Sequence, residues 1–140
     1  MSRRLLVPLD GSPQSTAALA YAVETLPDSE IVVVHVLNPA AAATGLDGVV
    51  SQTADIVDEQ RSFAEELFDE ARETVGDDRL VGTELLTGRA TDEIVAYAAN
   101  NPVDGIVMGS HGRDGAARLL LGSVSETVVR RSPVPVTVVR

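Results

Sequence analysis

The chain has 140 residues, 21 acidic residues against 11 basic ones, no cysteine and a formal net charge of −10. This length predicts one domain with its own core, and the lack of cysteine excludes disulfides, thiol catalysis and cysteine-based metal sites. The acidic balance and the small share of aromatic residues, 3%, argue against a nucleic-acid partner. No apolar run approaches the roughly 20 residues of a membrane span, and the first residues do not fit a signal peptide. A cytoplasmic protein without a membrane partner is therefore expected.

The basic residues are all arginine, since the sequence contains no lysine. A strongly acidic surface can serve solubility alone. It is also typical of proteins adapted to molar salt, where the Debye length falls to about 3 Å and self-repulsion is screened. The lysine-free composition favours the second interpretation and predicts a halophilic archaeal source.

The N-terminal part of the chain predicts a strand, a helix and a second strand. Arg4–Leu9 is a short apolar run, and Ser12 followed by Pro13 is typical of a helix start. Pro27 ends that helix. The continuous apolar run Ile31–Leu37 predicts a strand buried on both faces of a sheet.

The middle of the chain predicts a loop, a long helix and a third strand. Residues Asn38–Val50 have no periodicity and suggest a flexible loop, whereas Ser51–Val75 is the longest helical pattern. The apolar stripe of this helix is expected to contain Ala64, Leu67, Phe68, Ala71 and Val75. Arg79–Thr87 is more polar than the other strands, which predicts a place near the sheet edge.

The C-terminal third predicts two helices and two more strands. Asp92 and Glu93 favour a helix start before the strand Val103–Met108. Ser123–Arg131 predicts the last helix, with Ser123 and Glu126 spaced as in a capping box. Val134–Val139 predicts the fifth strand, and Pro135 within it argues for an edge position. Alternating strands and helices predict one doubly wound α/β domain with a parallel sheet.

The segment Met108–Ser125 carries the strongest functional signal. Its glycines follow the spacing Gly109-x2-Gly112-x9-Gly122-Ser123, between a strand and a helix N-terminus. Glycines let backbone N–H groups approach an anion, and the helix end adds a favourable dipole. The spacing matches neither a dinucleotide fingerprint nor a Walker A loop. A surface connection with incidental glycines is the alternative interpretation.

With this glycine pattern in place, the chain resembles the ATP-binding branch of the universal stress protein family. Three other segments carry the resemblance: Leu6–Ser12, Val32–Val36 and Ser132–Val139. The fold expected for such a chain is a single doubly wound α/β domain, with a five-stranded parallel sheet of order 3-2-1-4-5 and helices on both faces. Asp10, Val36 and Gly109 follow or end strands, so they can share one crevice at the carboxyl edge of the sheet.

The resemblance also implies a set of nucleotide contacts. Asp10 would contact the ribose or the metal region, Pro8 and Leu9 would flank the base, and the Val36 backbone would meet the adenine. The phosphate and ribose contacts would come from Gly109, Gly112, Gly122, Ser123, Val124 and Ser125. Met108 and Arg113 are further expected cofactor-binding residues. The implied cofactors are ATP and Mg²⁺, and the implied assembly is a homodimer that pairs the Val134–Val139 strands.

The function expected from these features is that of a stress-linked sensor or regulator that binds ATP. One alternative is a slow ATPase or autokinase in which His111 or Asp10 positions the nucleophile. Another is a nucleotide-free dimer that acts through protein contacts alone. His111 is expected to be an ordinary loop residue, and His35 a structural histidine in a buried strand. Ser12, Ser110, Ser123 and Ser125 are possible phosphorylation sites that the sequence does not distinguish.

Overall fold

The computed structural model describes residues 3–38, 53–110 and 123–140. These residues form five strands and four helices that alternate along much of the chain. In chain order they are β1 (Arg4–Pro8), α1 (Pro13–Thr25), β2 (Glu30–Leu37), α2 (Thr53–Val75), β3 (Leu80–Thr87), α3 (Ala90–Asn100), β4 (Gly105–Gly109), α4 (Ser123–Arg131) and β5 (Val136–Val139).

The five strands form one sheet of order β3-β2-β1-β4-β5, and each neighbouring pair is parallel. The predicted fold class and strand order are therefore confirmed. β1 is the central strand, with Val7 opposite Val33 of β2 and Leu6 opposite Ile106 of β4. The strand order reverses at β1, and this is where open α/β sheets leave a crevice for ligands.

Two apolar cores cover the two faces of the sheet. On one face, Val7 and Val33 pack with α1 and α2, whose buried stripe matches the prediction from the sequence: Ala64, Leu67, Phe68, Ala71 and Val75. On the other face, Leu6 and Val34 pack with α3 and α4. Ile31–Val34 are all buried, as expected for a strand covered on both faces.

The start of α1 follows from local chemistry. Ser12 is the N-cap, its hydroxyl accepts the Ser15 backbone N–H at 3.1 Å, and Pro13 occupies the first helical position. Both predictions for this turn are confirmed. α1 ends at Thr25. Near this end lies a long-range contact that no local sequence pattern predicts. Arg79 donates hydrogen bonds to the backbone carbonyls of Val23, Leu26 and Ser29, at 2.9–3.1 Å.

Two strands begin two residues later than predicted, and the other predicted strand bounds that differ do so by one residue. β5 begins at Val136 rather than Val134, because Pro135 has no N–H for the ladder and contributes only its carbonyl, which accepts the Ile106 N–H at 2.9 Å. β5 still lies at the edge of the described sheet, and β3 lies at the other edge, as its polarity predicted. β4 begins at Gly105 rather than Val103, since the Val103 N–H bonds locally to the Asn101 carbonyl.

Some predictions fall outside the described residues. They concern the loop Asn38–Val50 beyond its first residue and the first two residues of the helix predicted from Ser51. Within the described part of the chain, no helix is both long and apolar enough to span a membrane.

Candidate functional site

A cleft opens at the carboxyl edge of the sheet, where β1, β2 and β4 end. It contains about 620 Å³ of space between its atoms, part of which is open to solvent. The described residues that line it are Pro8, Leu9, Asp10, Ser12, Ser15, His35, Val36, Ala90, Ile94, Met108, Gly109, Val124 and Ser125.

The structure brings together most of the residues that the sequence singled out. Eight of them line this one cleft: Pro8, Leu9, Asp10, Val36, Met108, Gly109, Val124 and Ser125. Ser123 lies next to it, at the exposed start of α4, and lines a neighbouring polar cleft. Gly112, Arg113 and Gly122, and also His111, lie outside the described residues.

Five lining residues were not among the predicted nucleotide contacts: Ser12, Ser15, His35, Ala90 and Ile94. Ser12 and Ser15 lie two and five positions after Asp10, so the position of Asp10 was a signal for them. Ala90 and Ile94 lie on α3, the helix that packs beside β2, and only the strand order reveals that α3 reaches this edge. Their side chains, with those of Val36, Met108 and Val124, give the cleft its apolar lining.

Asp10 is held by its own loop. One oxygen of its carboxylate, Oδ1, accepts the Ser12 N–H at 2.8 Å, and the Asp10 N–H donates to the Ser15 hydroxyl at 3.3 Å. Among the described residues no donor contacts the other oxygen, Oδ2. Asp10 is exposed at the mouth of the cleft. Its carboxylate is therefore oriented and able to accept a hydrogen bond from a hydroxyl or to contact a cation.

Gly109 has a structural reason to be glycine. A Cβ at this position would lie 2.7 Å from the backbone carbonyl carbon of Gln14 and from the Gln14 Cβ. The end of β4 thus packs directly against the first turn of α1. The sequence interpretation gave this glycine only a ligand-contact role, because the approach of α1 is a long-range feature.

Ser125 is a buried residue of α4. Its hydroxyl donates to the Ser110 carbonyl, across the space between β4 and α4. The hydroxyl was expected to contact a nucleotide, and it does line the cleft. This hydrogen bond also connects α4 to the residue that follows β4, so Ser125 has a structural role as well.

His35 is half-buried at the end of β2. Its Nδ1 lies 2.7 Å from the Leu9 carbonyl oxygen, and because a carbonyl only accepts, we assign the proton to Nδ1. The ring also meets Phe63 of α2 edge-on, with the ring centres 5.7 Å apart. The expectation of a structural histidine with a hydrogen-bonded ring is met at Nδ1.

A second, more polar cleft lies between the start of α3 and α4. Its described lining is Asn38, Arg89, Ala90, Thr91, Asp92, Ser123, Val124, Thr127 and Arg131. Within it Arg131 donates to Asp92 at 2.8 Å, and this hydrogen bond lowers the pKa of the Asp92 carboxyl against the opposing effect of desolvation. The ion pair joins the two helices that cover this face of the sheet.

The described residues offer little to a metal ion by themselves. In the described ranges, no group of three or more histidine, aspartate or glutamate residues gathers to bind one. Asp10 is the acidic residue in the described cleft lining. A divalent cation there would depend on oxygens of a bound ligand, which is how Mg²⁺ is usually held beside phosphates.

Comparison with known proteins adds to this geometry. A model of the Universal stress protein family matches residues 1–140. Universal stress protein MJ0577 of Methanocaldococcus jannaschii is 30% identical over 155 aligned residues, which cover 100% of this chain and 96% of that protein. A solved structure of MJ0577 matches with a TM-score of 0.82, at 29% identity, over 99% of this chain and 96% of that one.

Two more distant structures share the fold. One is a universal stress protein in complex with cAMP, with a TM-score of 0.67, 23% identity, and coverage of 99% of this chain and 97% of that one. The other is a family protein from Arabidopsis thaliana with AMP bound, with a TM-score of 0.67, 16% identity, and coverage of 98% and 90%. The match over the whole length and the common sheet order lead to one conclusion: the chain belongs to the universal stress protein family.

Proposed function

We propose that the cleft binds an adenine nucleotide, ATP together with Mg²⁺, and that the protein acts as a cytoplasmic, stress-linked sensor or regulator. The observation that carries this proposal is the convergence of the Asp10 loop, the end of β4 and the start of α4 on one partly apolar cleft. Family structures that contain cAMP and AMP support the choice of an adenine ligand.

The lining suggests how the ligand would lie. An adenine ring suits the apolar walls made by Val36, Ile94, Met108 and Val124, with Pro8 and Leu9 at its side. The free oxygen of Asp10 suits a ribose hydroxyl, since a carboxylate accepts strong hydrogen bonds. The phosphates would extend towards Gly109 and the N-terminus of α4 at Ser123–Ser125, where a helix dipole favours anions.

The segment Met108–Ser125, the glycine segment, supplies the remaining predicted contacts. Gly112, Arg113 and Gly122 would surround the phosphates, with Mg²⁺ held by phosphate oxygens and water. Binding would then hold this segment in one conformation and alter a surface that a partner protein recognises. Such a population shift needs no chemical step.

A binding role is favoured over an ATPase or autokinase. The described cleft offers two titratable side chains, Asp10 and His35, and each is already held by a backbone group of its own neighbourhood. A general base needs a free acceptor within hydrogen-bond reach of the nucleophile. The second oxygen of Asp10 is such an acceptor, but the proposed ligand geometry directs it to a ribose hydroxyl and not to a nucleophile beside the phosphates. His111, the other candidate, remains a hypothesis from the sequence.

The proposed assembly is a homodimer that pairs the C-terminal segments Val134–Val139 of two chains. β5 is an edge strand of the described sheet, and its free ladder groups make it a template for another strand. Pairing of two copies would be isologous. Light scattering in molar KCl tests this directly, since a monomer at high protein concentration would contradict it.

The decisive test of the nucleotide proposal is native mass spectrometry of gently purified protein, followed by calorimetry with ATP and Mg²⁺ in molar KCl. We expect co-purified adenine nucleotide or saturable binding of added ATP. Wild-type protein that neither retains nor binds an adenine nucleotide would instead favour the nucleotide-free dimer.

A further inference from the structure

His35 and Phe63 lie next to the loop that carries Asp10, on the side of the sheet covered by α2. The preceding residues of β2, Ile31–Val34, are apolar and buried. Desolvation of a histidine at the next position is unfavourable unless the ring makes a hydrogen bond, so the hydrogen-bond partner of His35 is informative. That partner is the carbonyl of Leu9, the residue before Asp10.

The contacts of Leu9 hold it on both of its backbone groups. Its N–H donates to the Val34 carbonyl at 2.8 Å, which extends the β1–β2 pairing by one residue beyond β1. Its carbonyl accepts from His35 Nδ1 at 2.7 Å. The His35 side chain therefore extends the hydrogen bonding between β1 and β2 to the point where the backbone after Leu9 turns away to form the loop that carries Asp10.

Phe63 holds the next part of the loop. A Cβ built on Gly11 would lie 2.5 Å from the Phe63 Cζ, so the ring covers the Gly11 backbone directly. Gly11 also has a φ of +83°, which favours glycine in its own right. Phe63 remains 42% exposed, although it lies on the same helix as the fully packed stripe. The ring is thus kept at the surface, between His35 and the loop.

We propose that His35 and Phe63 are positioning residues: together they hold the Leu9–Gly11 segment so that the Asp10 carboxylate faces the cleft in its binding geometry. This inference rests on the proposed nucleotide function for its effect on affinity. Its effect on the loop itself is independent of any ligand. Neither residue needs to touch the nucleotide for the mechanism to operate.

The first experiment measures the dissociation constant of ATP by calorimetry, with Mg²⁺ in molar KCl. His35→Leu removes the donor but keeps an apolar side chain, and we expect about a tenfold weaker affinity, the loss of roughly one hydrogen bond. His35→Asn offers an amide N–H near the position of Nδ1, and its affinity should stay within about threefold of wild type. Rescue by asparagine separates the hydrogen bond from simple packing.

Matched controls come from the same strand and helix. Val33→Ala removes a buried side chain two residues before His35 and should lower stability without changing affinity. Phe63→Ala should weaken binding, whereas Phe68→Ala, a buried change on the same helix, should mainly lower stability. Equal affinity of His35→Leu and wild type, or equal losses in the Val33 and His35 variants, would overturn the proposal.

The second experiment needs no ligand. Hydrogen exchange of the Ser12 amide reports the bond from Ser12 N–H to Asp10 Oδ1, which exists only while the loop keeps its shape. We expect faster exchange in His35→Leu and wild-type rates in His35→Asn. If wild type fails to bind ATP but exchange responds in this way, the nucleotide proposal fails and the loop-holding role stands. Unchanged exchange in His35→Leu removes the positioning role whatever the ligand.

Discussion

The backbone of Gln14 lies so close to Gly109 that a Cβ on the glycine would come within 2.7 Å of the Gln14 carbonyl carbon. This contact joins the first turn of α1 to the last residue of β4, two walls of the candidate cleft. The three nearest atoms are the Gln14 carbonyl carbon, carbonyl oxygen and Cβ, whose positions the helix backbone fixes, so they cannot yield by a side-chain rotation.

We therefore predict that Gly109→Ala destabilises the fold and does not act on ligand binding alone. Overpacking of this kind costs about 1–3 kcal/mol in the free energy of unfolding. Denaturant unfolding measures it. Gly82→Ala is the matched control, because a Cβ there meets only the Val32 Cγ1, at an ordinary 3.8 Å. An equal and small effect of both substitutions would contradict the close packing.

Substitutions in the glycine segment should separate binding from folding. Gly112→Val or Gly122→Val should abolish ATP binding, because a side chain would occupy space needed by the phosphates, while the melting temperature stays close to wild type. Asp10→Ala should weaken affinity by about 1–3 kcal/mol, the range for losing a hydrogen bond to a charged group. Calorimetry with ATP and Mg²⁺ measures all three. Valine variants that bind like wild type would refute the phosphate role.

Arg79 should contribute to stability through its three carbonyl contacts near the end of α1. Arg79→Met keeps much of the aliphatic stem but removes the donors, and we expect a loss of about 1–3 kcal/mol in the free energy of unfolding. Arg72→Met is the control, since within the described residues the Arg72 guanidinium forms an exposed pair with Asp69 on α2. Similar losses in both variants would mean that the carbonyl contacts are not specific.

The Asp92–Arg131 pair predicts a pH dependence with a definite sign. The pKa of Asp92 is lowered in the folded protein, chiefly by its hydrogen bond to Arg131, so folding favours the carboxylate. The stabilisation is present above the pKa of the unfolded chain and is lost as the pH falls through the lower pKa of the folded state. It should be small, because the pair is at the surface.

Acid unfolding of wild type and Arg131→Met measures this effect. The difference in stability between them should shrink as the pH drops below the usual pKa range of an aspartate. The pKa of Asp92, followed by NMR, should be higher in the variant than in wild type. A difference that is constant with pH would show that Arg131 acts through packing instead.

The acidic, lysine-free composition predicts dependence on salt. The exposed face of α2 alone carries Glu65, Glu66, Asp69, Glu70 and Glu73. Repulsion among such charges is screened within about 3 Å at 1 M ionic strength, so the melting temperature should rise from low salt to molar KCl. A flat or falling trend would remove the halophilic interpretation and leave ordinary acidity.

The sequence by itself determined those features that depend on neighbours along the chain. Ser12 and Pro13 start α1, the spacing of Ala64 to Val75 sets the buried stripe of α2, and the Ile31–Val34 run forms a strand covered on both faces. Caps, helical periodicity and apolar runs are local, so they can be read before the chain is folded. The alternation of strands and helices then leads to the parallel sheet.

Only the tertiary structure decided which residues meet across the sheet edge. Ala90 and Ile94 enter the cleft, Gln14 makes a glycine necessary at 109, and His35 reaches the Leu9 carbonyl across 26 positions of the chain. Such contacts depend on the order of the strands in the sheet and on how closely the helices approach it. No local pattern of residues encodes either of these.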